Sequence, residues 1–277
     1  MTSAAADRAT SPIPGLAVAL TSHNSLRTLR PTLESVVGLA ARIVVVDSGS
    51  TDGSVDVARA CGATVMHREW SGHVAQKQFA IDQCADARWV FLLDSDEALD
   101  GPLRAAVRAA VLRDDATIDG YEVNRRLVLH GRALTRAFQP EWRLRLFRPT
   151  RARVSGIAPH DFVAVSGRSD RLAGDLLHDS WRDVDDMLRR QLGYATIWSR
   201  HAPGETTATR GGHLLDVLVR PGSAFLKQYV LKRGFRDGWR GLVAAGGAAA
   251  ATLMKHLALA ERRGLEAERS VAPQRSV

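Results

Sequence analysis

Five apolar residues run without a polar break from Trp89 to Leu93, and this run restricts the fold more than any other stretch of the chain. A strand that is apolar at every position must be covered on both faces, as happens in a parallel sheet flanked by helices. Asp94-Ser95-Asp96-Glu97 follows directly, with three carboxylates in four residues. Open α/β sheets bind ligands beyond the C-terminal ends of their strands, so the cluster stands where a ligand would sit. The carboxylates repel one another unless a cation joins them. Hard divalent ions such as Mg²⁺ or Mn²⁺ prefer carboxylate and phosphate oxygens, and Asp-x-Asp therefore points to a metal bridging the protein to a diphosphate. The same residues would also serve a simple turn that caps the next helix.

The preceding residues decide between these readings. Leu16–Thr21 reads as a first strand, followed by a helix carrying Leu26, Leu29, Leu33, Val36 and Val37, in which Pro31 is expected to cause a kink or a restart. Ile43–Val46 is a second strand that ends in Asp47-Ser48-Gly49-Ser50-Thr51-Asp52-Gly53-Ser54, a small polar loop opening a helix that stops near Gly62. Ala63–His67 is a third strand, and a helix containing Gln76-Lys77-Gln78-Phe79-Ala80-Ile81 leads to the fourth. Such alternation predicts a doubly wound parallel sheet with right-handed crossovers. Asp47 and Asp94 then lie at strand C-termini and two loops converge on one pocket. After a helix near Gly101–Leu112 the pattern turns antiparallel in character, with strands at Gly120–Leu129, Trp142–Phe147 and Asp161–Val165. Arg143, Arg145 and Arg148 form either a solvated strand face or a fork for phosphate.

These residues together resemble family 2 inverting glycosyltransferases with the GT-A fold. Trp70-Ser71-Gly72, Gln76-Lys77-Gln78, Pro140-Glu141-Trp142-Arg143-Leu144-Arg145-Leu146-Phe147-Arg148 and Tyr229-x-x-Lys232-Arg233-Gly234-Phe235-x-Asp237-Gly238 are similar to the lipopolysaccharide core β-1,4-glucosyltransferase-like branch. Three departures stand out. Ser22-His23-Asn24-Ser25 replaces Tyr-Asn-Glu-Glu, Pro159-His160-Asp161 replaces a Val-His-Glu element, and the metal motif is Asp-Ser-Asp rather than Asp-Ala-Asp.

The resemblance implies an α/β nucleotide-diphospho-sugar transferase fold: a mostly parallel Rossmann-like sheet, a small antiparallel acceptor part and C-terminal amphipathic helices. It implies that Thr21 lines the base pocket, that Asp47 contacts the base or ribose, and that Asp94 holds the ribose or the metal. Asp96 would coordinate Mg²⁺ or Mn²⁺ directly, with His178 or His160 assisting at the metal or diphosphate. Arg145 would meet the diphosphate. Lys77 would neutralise donor charge or simply be solvated on its helix. Inversion needs a base that deprotonates the acceptor hydroxyl opposite the leaving group; Asp161 occupies the place of the Glu in the His-Glu element, and Glu141, in a Pro-Glu pair, is its rival. The donor implied is UDP-glucose or a related nucleotide sugar, and the acceptor a lipopolysaccharide core, glycolipid or other glycan. A metal-dependent nucleotide-sugar hydrolase or nucleotidyltransferase, or a noncatalytic nucleotide-sugar-binding protein, would use the same loops.

Net charge bears on partners. The 277 residues carry a formal +8 at pH 7, which favours phosphate-bearing or membrane-surface partners. Much of it falls between Arg220 and Arg240, interleaved with Phe225, Tyr229, Phe235 and Trp239 and followed by thirteen uncharged residues, Leu242–Met254. That run is shorter than a bilayer span, so the expectation is a segment lying on the anionic inner face of the cytoplasmic membrane. No recognisable nucleic-acid reader accompanies the charge. Cys61 and Cys84 read as small buried hydrophobes in a reducing compartment, and residues 1–14 lack an apolar signal core. The expected organisation is a disordered stretch at 1–14, a transferase domain at 15–210, amphipathic membrane-surface helices at 211–261 and a disordered tail at 262–277.

Overall fold

A computed structural model describes residues 11–156, 161–201 and 210–271. These divide into two compact units: 11–133, Pro140–Gly156 and 161–180 form the first, and Leu134–Gln139, 181–201 and 210–271 the second.

Among the described residues the first unit has eleven strands, nine of them in one sheet. In chain order its elements are β1 (Ile13–Ser22), α1 (Leu26–Glu34), β2 (Ala40–Asp47), α2 (Ser54–Ala60), β3 (Thr64–His67), α3 (His73–Asp82), β4 (Trp89–Asp94), β5 (Glu97–Leu99), α4 (Gly101–Arg113), β6 (Gly120–Leu129), β7 (Arg132–Ala133), β8 (Trp142–Phe147), β9 (Ala152–Ser155), β10 (Phe162–Val165) and β11 (Ser169–His178). The sheet order is β3-β2-β1-β4-β8-β6-β11-β5, with β7 hung on β6 and a separate β9–β10 ribbon. β3, β2, β1 and β4 run parallel. β8 is antiparallel to both β4 and β6, while β11 runs parallel to β6.

The alternation of side chains along each strand sorts the core into two layers. Leu16, Val18, Leu20, Trp89, Phe91 and Leu93 meet Leu29, Leu33, Leu103 and Val107 of α1 and α4 on one face. Ala17, Ala19, Val44, Val46, Val90 and Leu92 meet Ala80, Ile81 and Cys84, in and just beyond α3, on the other. Both faces of β4 are thus covered, as its unbroken apolar run requires. Cys61 and Cys84 are both free thiols, and Cys84 is buried.

Several expectations change. α1 is one helix across Pro31 and does not restart there, although the proline removes one backbone donor. The turn after Asp94 does not lead straight to a helix but makes β5, which pairs with β11. β11, β9 and β7 were not foreseen. Of the expected unstructured N-terminus, Ile13 and Pro14 belong to β1, and residues 1–10 lie outside the described residues.

The second unit is helical: α5 (Val184–His201), α6 (Arg210–Leu226), a π-helical turn (Lys227–Leu231), a 3-10 turn (Gly234–Asp237) and α7 (Trp239–Val271). Its helices begin at Val184, ahead of the 210/211 boundary expected from composition. α7 packs on α5 and α6 and buries Ala244, Ala245 and Leu259. A Cβ added at Gly247 would stand 2.6 Å from Met187 Sδ, so glycine permits that approach. The tail expected to be disordered from 262 is helical to Val271, where Arg262 and Glu266 pair across one turn at 3.5 Å; 272–277 lie outside the described residues. The stretch Trp239–Glu266 is also long and apolar enough, by length and composition, to cross a membrane. Counting only the thirteen uncharged residues understated it, because the apolar helix continues past the isolated Lys255.

Candidate active site

Register fixes the rim of the site. Where β1 lies between β2 and β4, Thr21 stands opposite Asp94 and Ser22 opposite Asp47. The loops that follow are stitched together. Asn24 N donates to Ser50 Oγ at 2.8 Å, Thr51 N to Asn24 Oδ1 at 2.9 Å, and Leu26 N to Asp52 Oδ2 at 3.0 Å. The hydroxyls of Ser25 and Ser95 meet at 2.8 Å, which joins the turn after β4 to the loop after β1. The residues that replace Tyr-Asn-Glu-Glu therefore serve as ties between loops. Asp47 is almost fully buried, and its carboxylate is turned into its own loop: Oδ2 accepts from Gly49 N and Ser50 N, and Oδ1 from Ser50 Oγ at 2.5 Å. In this arrangement Asp47 shapes the loop that would receive a nucleotide.

Behind the rim runs a line of ion pairs with alternating sign. Asp161 Oδ2 accepts from Lys77 Nζ at 2.9 Å, and Lys77 reaches Asp94 Oδ1 at 2.6 Å. Asp94 Oδ2 meets Arg145 Nη2 at 2.7 Å, and the same nitrogen meets Glu97 Oε1 at 2.5 Å. Glu97 lies 3.6 Å from Arg125, and Arg125 and Arg143 both hold Glu141 Oε1 at 2.6 Å. Glu97 also accepts from Asp94 N at 3.1 Å and has no exposed surface. β4, β8 and β6 are neighbours in the sheet and supply half of the line: Asp94, Arg143, Arg145 and Arg125.

Burial alone would favour the neutral form of Asp94, but the Lys77 ammonium and the Arg145 guanidinium override it and hold its carboxyl well below the usual range. The same burial depresses Lys77, and Asp94 and Asp161 more than restore it. Glu141 is desolvated too, yet the hydrogen bond and charge of Arg125, with Arg143, pull it from 4.5 down to about 2. A carboxylate so strongly held is a weak proton acceptor. Since its folded pKa lies below its unfolded one, Glu141 contributes stability above pH ~4.5 that is lost as pH falls towards ~2. Glu141→Gln should accordingly lower the unfolding free energy by on the order of 2 kcal/mol near neutral pH, with the gap closing over that window in urea titrations.

Two cations stand elsewhere than a solvated face. Arg145, expected at the diphosphate, is 6% exposed and engaged by Asp94 and Glu97, because its strand face is covered by acids from β4 and the turn after it. Lys77 is buried between two carboxylates and is not a solvated helix residue. Arg125 and Glu97 were given no role from sequence, and Arg125 carries no local signal beyond an ordinary charged strand position. His73, at the start of α3, was missed as well. Burial lowers its pKa, and the charges of Asp161, Lys77 and Asp94 all act on it.

Asp96 and His178 are brought together by the β5–β11 pairing, in which His178 stands opposite Glu97. His178 Nε2 is 3.5 Å from Asp96 Oδ1, and both side chains are about one-fifth exposed. Asp179 N donates to Asp96 O at 2.9 Å, and Arg27 clamps Asp179 from α1 at 2.5 Å. Among the described residues no group of three or more His, Cys, Asp or Glu side chains gathers to hold a metal. A carboxylate and an imidazole are nevertheless donor types that would hold Mn²⁺ or Mg²⁺. Asp94, with both oxygens on cations, is a poor ligand beside them. His160 lies outside the described residues.

Residues 17–165, more than half of the chain, match the family model for glycosyl transferase family 2. The lipopolysaccharide core biosynthesis glycosyltransferase LpsC of Rhizobium meliloti (strain 1021) is 29% identical over 239 residues, covering 83% of this chain and 87% of the relative. Among solved structures, a mannosyltransferase from Pyrobaculum calidifontis in complex with GDP-Man and Mn²⁺ aligns with 91% of this chain and 87% of its own at a TM-score of 0.47 and 15% identity. Glucosyl-3-phosphoglycerate synthase from Mycobacterium tuberculosis, in complex with Mn²⁺, UDP and phosphoglyceric acid, aligns with 44% of this chain and 45% of its own at a TM-score of 0.34 and 24% identity.

Proposed function

The chain belongs to glycosyl transferase family 2 and is a glycosyltransferase of the GT-A fold, and from that premise we propose that it moves a hexose from a nucleotide-diphosphate sugar to a lipopolysaccharide-core or related glycolipid acceptor, with inversion. The observation that carries this reading is the convergence at one sheet edge of the Asp47 loop, the Asp96–His178 pair and the Lys77–Asp161 pair. The LpsC relative supports the acceptor class, and UDP-glucose is the donor to try first.

Asp161 is the base in this reading. Lys77 engages one of its oxygens and so fixes the direction of the carboxylate. Asp161 takes the proton of the acceptor hydroxyl, the freed oxygen bonds to the anomeric carbon, and the bond from that carbon to the diphosphate oxygen breaks on the opposite face. Thr21 and the Asp47 loop receive the nucleoside, and the buried Asp94 is left to organise Lys77. Asp96 and His178 are the residues that would hold Mg²⁺ or Mn²⁺. An ion bound there neutralises charge that develops on the leaving diphosphate. The enzyme works at the inner face of the cytoplasmic membrane, where a lipid-linked acceptor is met.

Calorimetric titration of a panel of nucleotide sugars, each with and without Mn²⁺, tests the reading. One diphosphate donor should bind, and its affinity should fall at least about tenfold without the metal or in Asp96→Asn. Titrations that ignore both changes would reduce Asp96 to a turn residue, and silence across the whole panel would overturn the donor assignment.

A further inference from the structure

Between α6 and α7 the second unit makes a knuckle on which cations and exposed apolar side chains share one stretch of chain. Over residues 226–242, Leu226, Val230, Leu231, Phe235, Trp239 and Leu242 are all exposed, Leu231 at 77% and Trp239 at 53%. Lys227, Arg233 and Arg236 are exposed among them, and the guanidinium of Arg240 lies 4.5 Å over the Trp239 ring. The stretch holds five cations and a single anion, Asp237.

That anion is already engaged. Its carboxylate accepts from Thr135 N at 2.9 Å and Thr135 Oγ at 2.8 Å, and from Arg136 N at 2.9 Å and Ala137 N at 3.0 Å. The backbone of the knuckle is pinned as well. Phe138 N donates to Gln228 Oε1 at 2.9 Å, and Lys232 Nζ to Gln139 O at 2.6 Å. A Cβ at Gly234 would stand 2.6 Å from Gln228 O, and one at Gly241 only 1.8 Å from Gly234 O, so both crossings exclude any larger residue. The apolar side chains are therefore held out by a rigid frame. Nothing about the stretch resembles a loose loop that exposes them by accident.

We propose that this knuckle, with Phe235 and Trp239 at its tip, docks the chain on an anionic lipid surface. Aromatic and aliphatic side chains would enter the headgroup boundary while Lys227, Arg233 and Arg236 meet lipid phosphates. Charge complementarity selects the occupant: five cations stand against one anion that is already bonded within the unit, so the apolar groups are framed by charge of a single sign, which an anionic leaflet matches. The cations gather at the knuckle, whereas α7 just beyond it buries Ala244, Ala245 and Gly247 and farther on exposes Leu253 and Leu257 with Lys255 between them. This deepens the transferase reading by naming its partner surface, and rests on that reading for why a membrane is needed.

The test is sedimentation of the full chain with vesicles of phosphatidylcholine alone or mixed with phosphatidylglycerol. The chain should pellet with the anionic vesicles and be released by salt. Each cation is worth about fivefold in partition (~1 kcal/mol), so Lys227→Glu with Arg236→Glu should weaken binding by more than about tenfold. Phe235→Ser with Trp239→Ser should do the same, with unchanged melting and unchanged nucleotide-sugar affinity in both pairs. Equal pelleting of all three proteins, or none with anionic vesicles, would overturn the proposal. So would a dimer in solution that Phe235→Ser with Trp239→Ser dissociates, which would make the knuckle a self-association surface. If wild type binds vesicles but no nucleotide sugar, docking stands and the transferase reading falls.

Discussion

Asp161→Asn should abolish most transfer while leaving donor binding intact. Removing a general base costs about 10²- to 10⁴-fold in rate, and Asn keeps the size of the side chain and its reach to Lys77. Lys77 retains Asp94 at 2.6 Å, so the helix that carries it is not left with a stranded charge. The loss should therefore fall on kcat, with nucleotide-sugar affinity by calorimetry and the melting temperature close to wild type. Wild-type turnover in Asp161→Asn would return the role to Glu141. That outcome would also demand that Arg125 and Arg143 release Glu141, which they hold at 2.6 Å.

Arg145→Met should be the most damaging single change to folding. It leaves Asp94 short of one cation and the fully buried Glu97 with only Arg125, at 3.6 Å. Breaking a buried pair on one side costs about 3–5 kcal/mol because a charge is left uncompensated. Arg145→Met combined with Glu97→Gln should recover a large part of that loss, since the stranded carboxylate goes with it. Urea unfolding of the two variants checks both statements. A cost under about 1 kcal/mol for Arg145→Met would mean that water enters the line and screens it.

Strands β1, β2 and β4 could be read because each holds an apolar run without interruption, and burial on both faces leaves no ambiguity about what such a run does. Ser169–His178 could not be read in the same way. Its Ser-Asp-Arg-Leu-Ala-Gly-Asp-Leu-Leu-His is charged and broken by glycine, and it is a strand only because β6 and β5 pair with it. That strand delivers His178 to Asp96, so the proximity of the two is a product of tertiary pairing. Lys77 and Arg145 carry the same lesson. An isolated lysine on a helix and alternating arginines on a strand look solvated until the acids that cover them are known, and those acids come from residues 94, 97 and 161. At the C-terminus, composition misled in the other direction, since an Arg- and Glu-rich sequence continued α7 through turn-spaced pairs.

The two margins of the main sheet have a consequence for the chain's behaviour at high concentration. On one side the sheet ends in β3, four residues long, and on the other in β5, three residues long. Long, flat, unpaired margins let one molecule extend the sheet of another, and very short ones deny that template. Thr64 and His67 keep the outer margin of β3 polar and exposed at both ends. The strands that end the sheet order thereby give a neighbouring molecule only three or four residues to pair with.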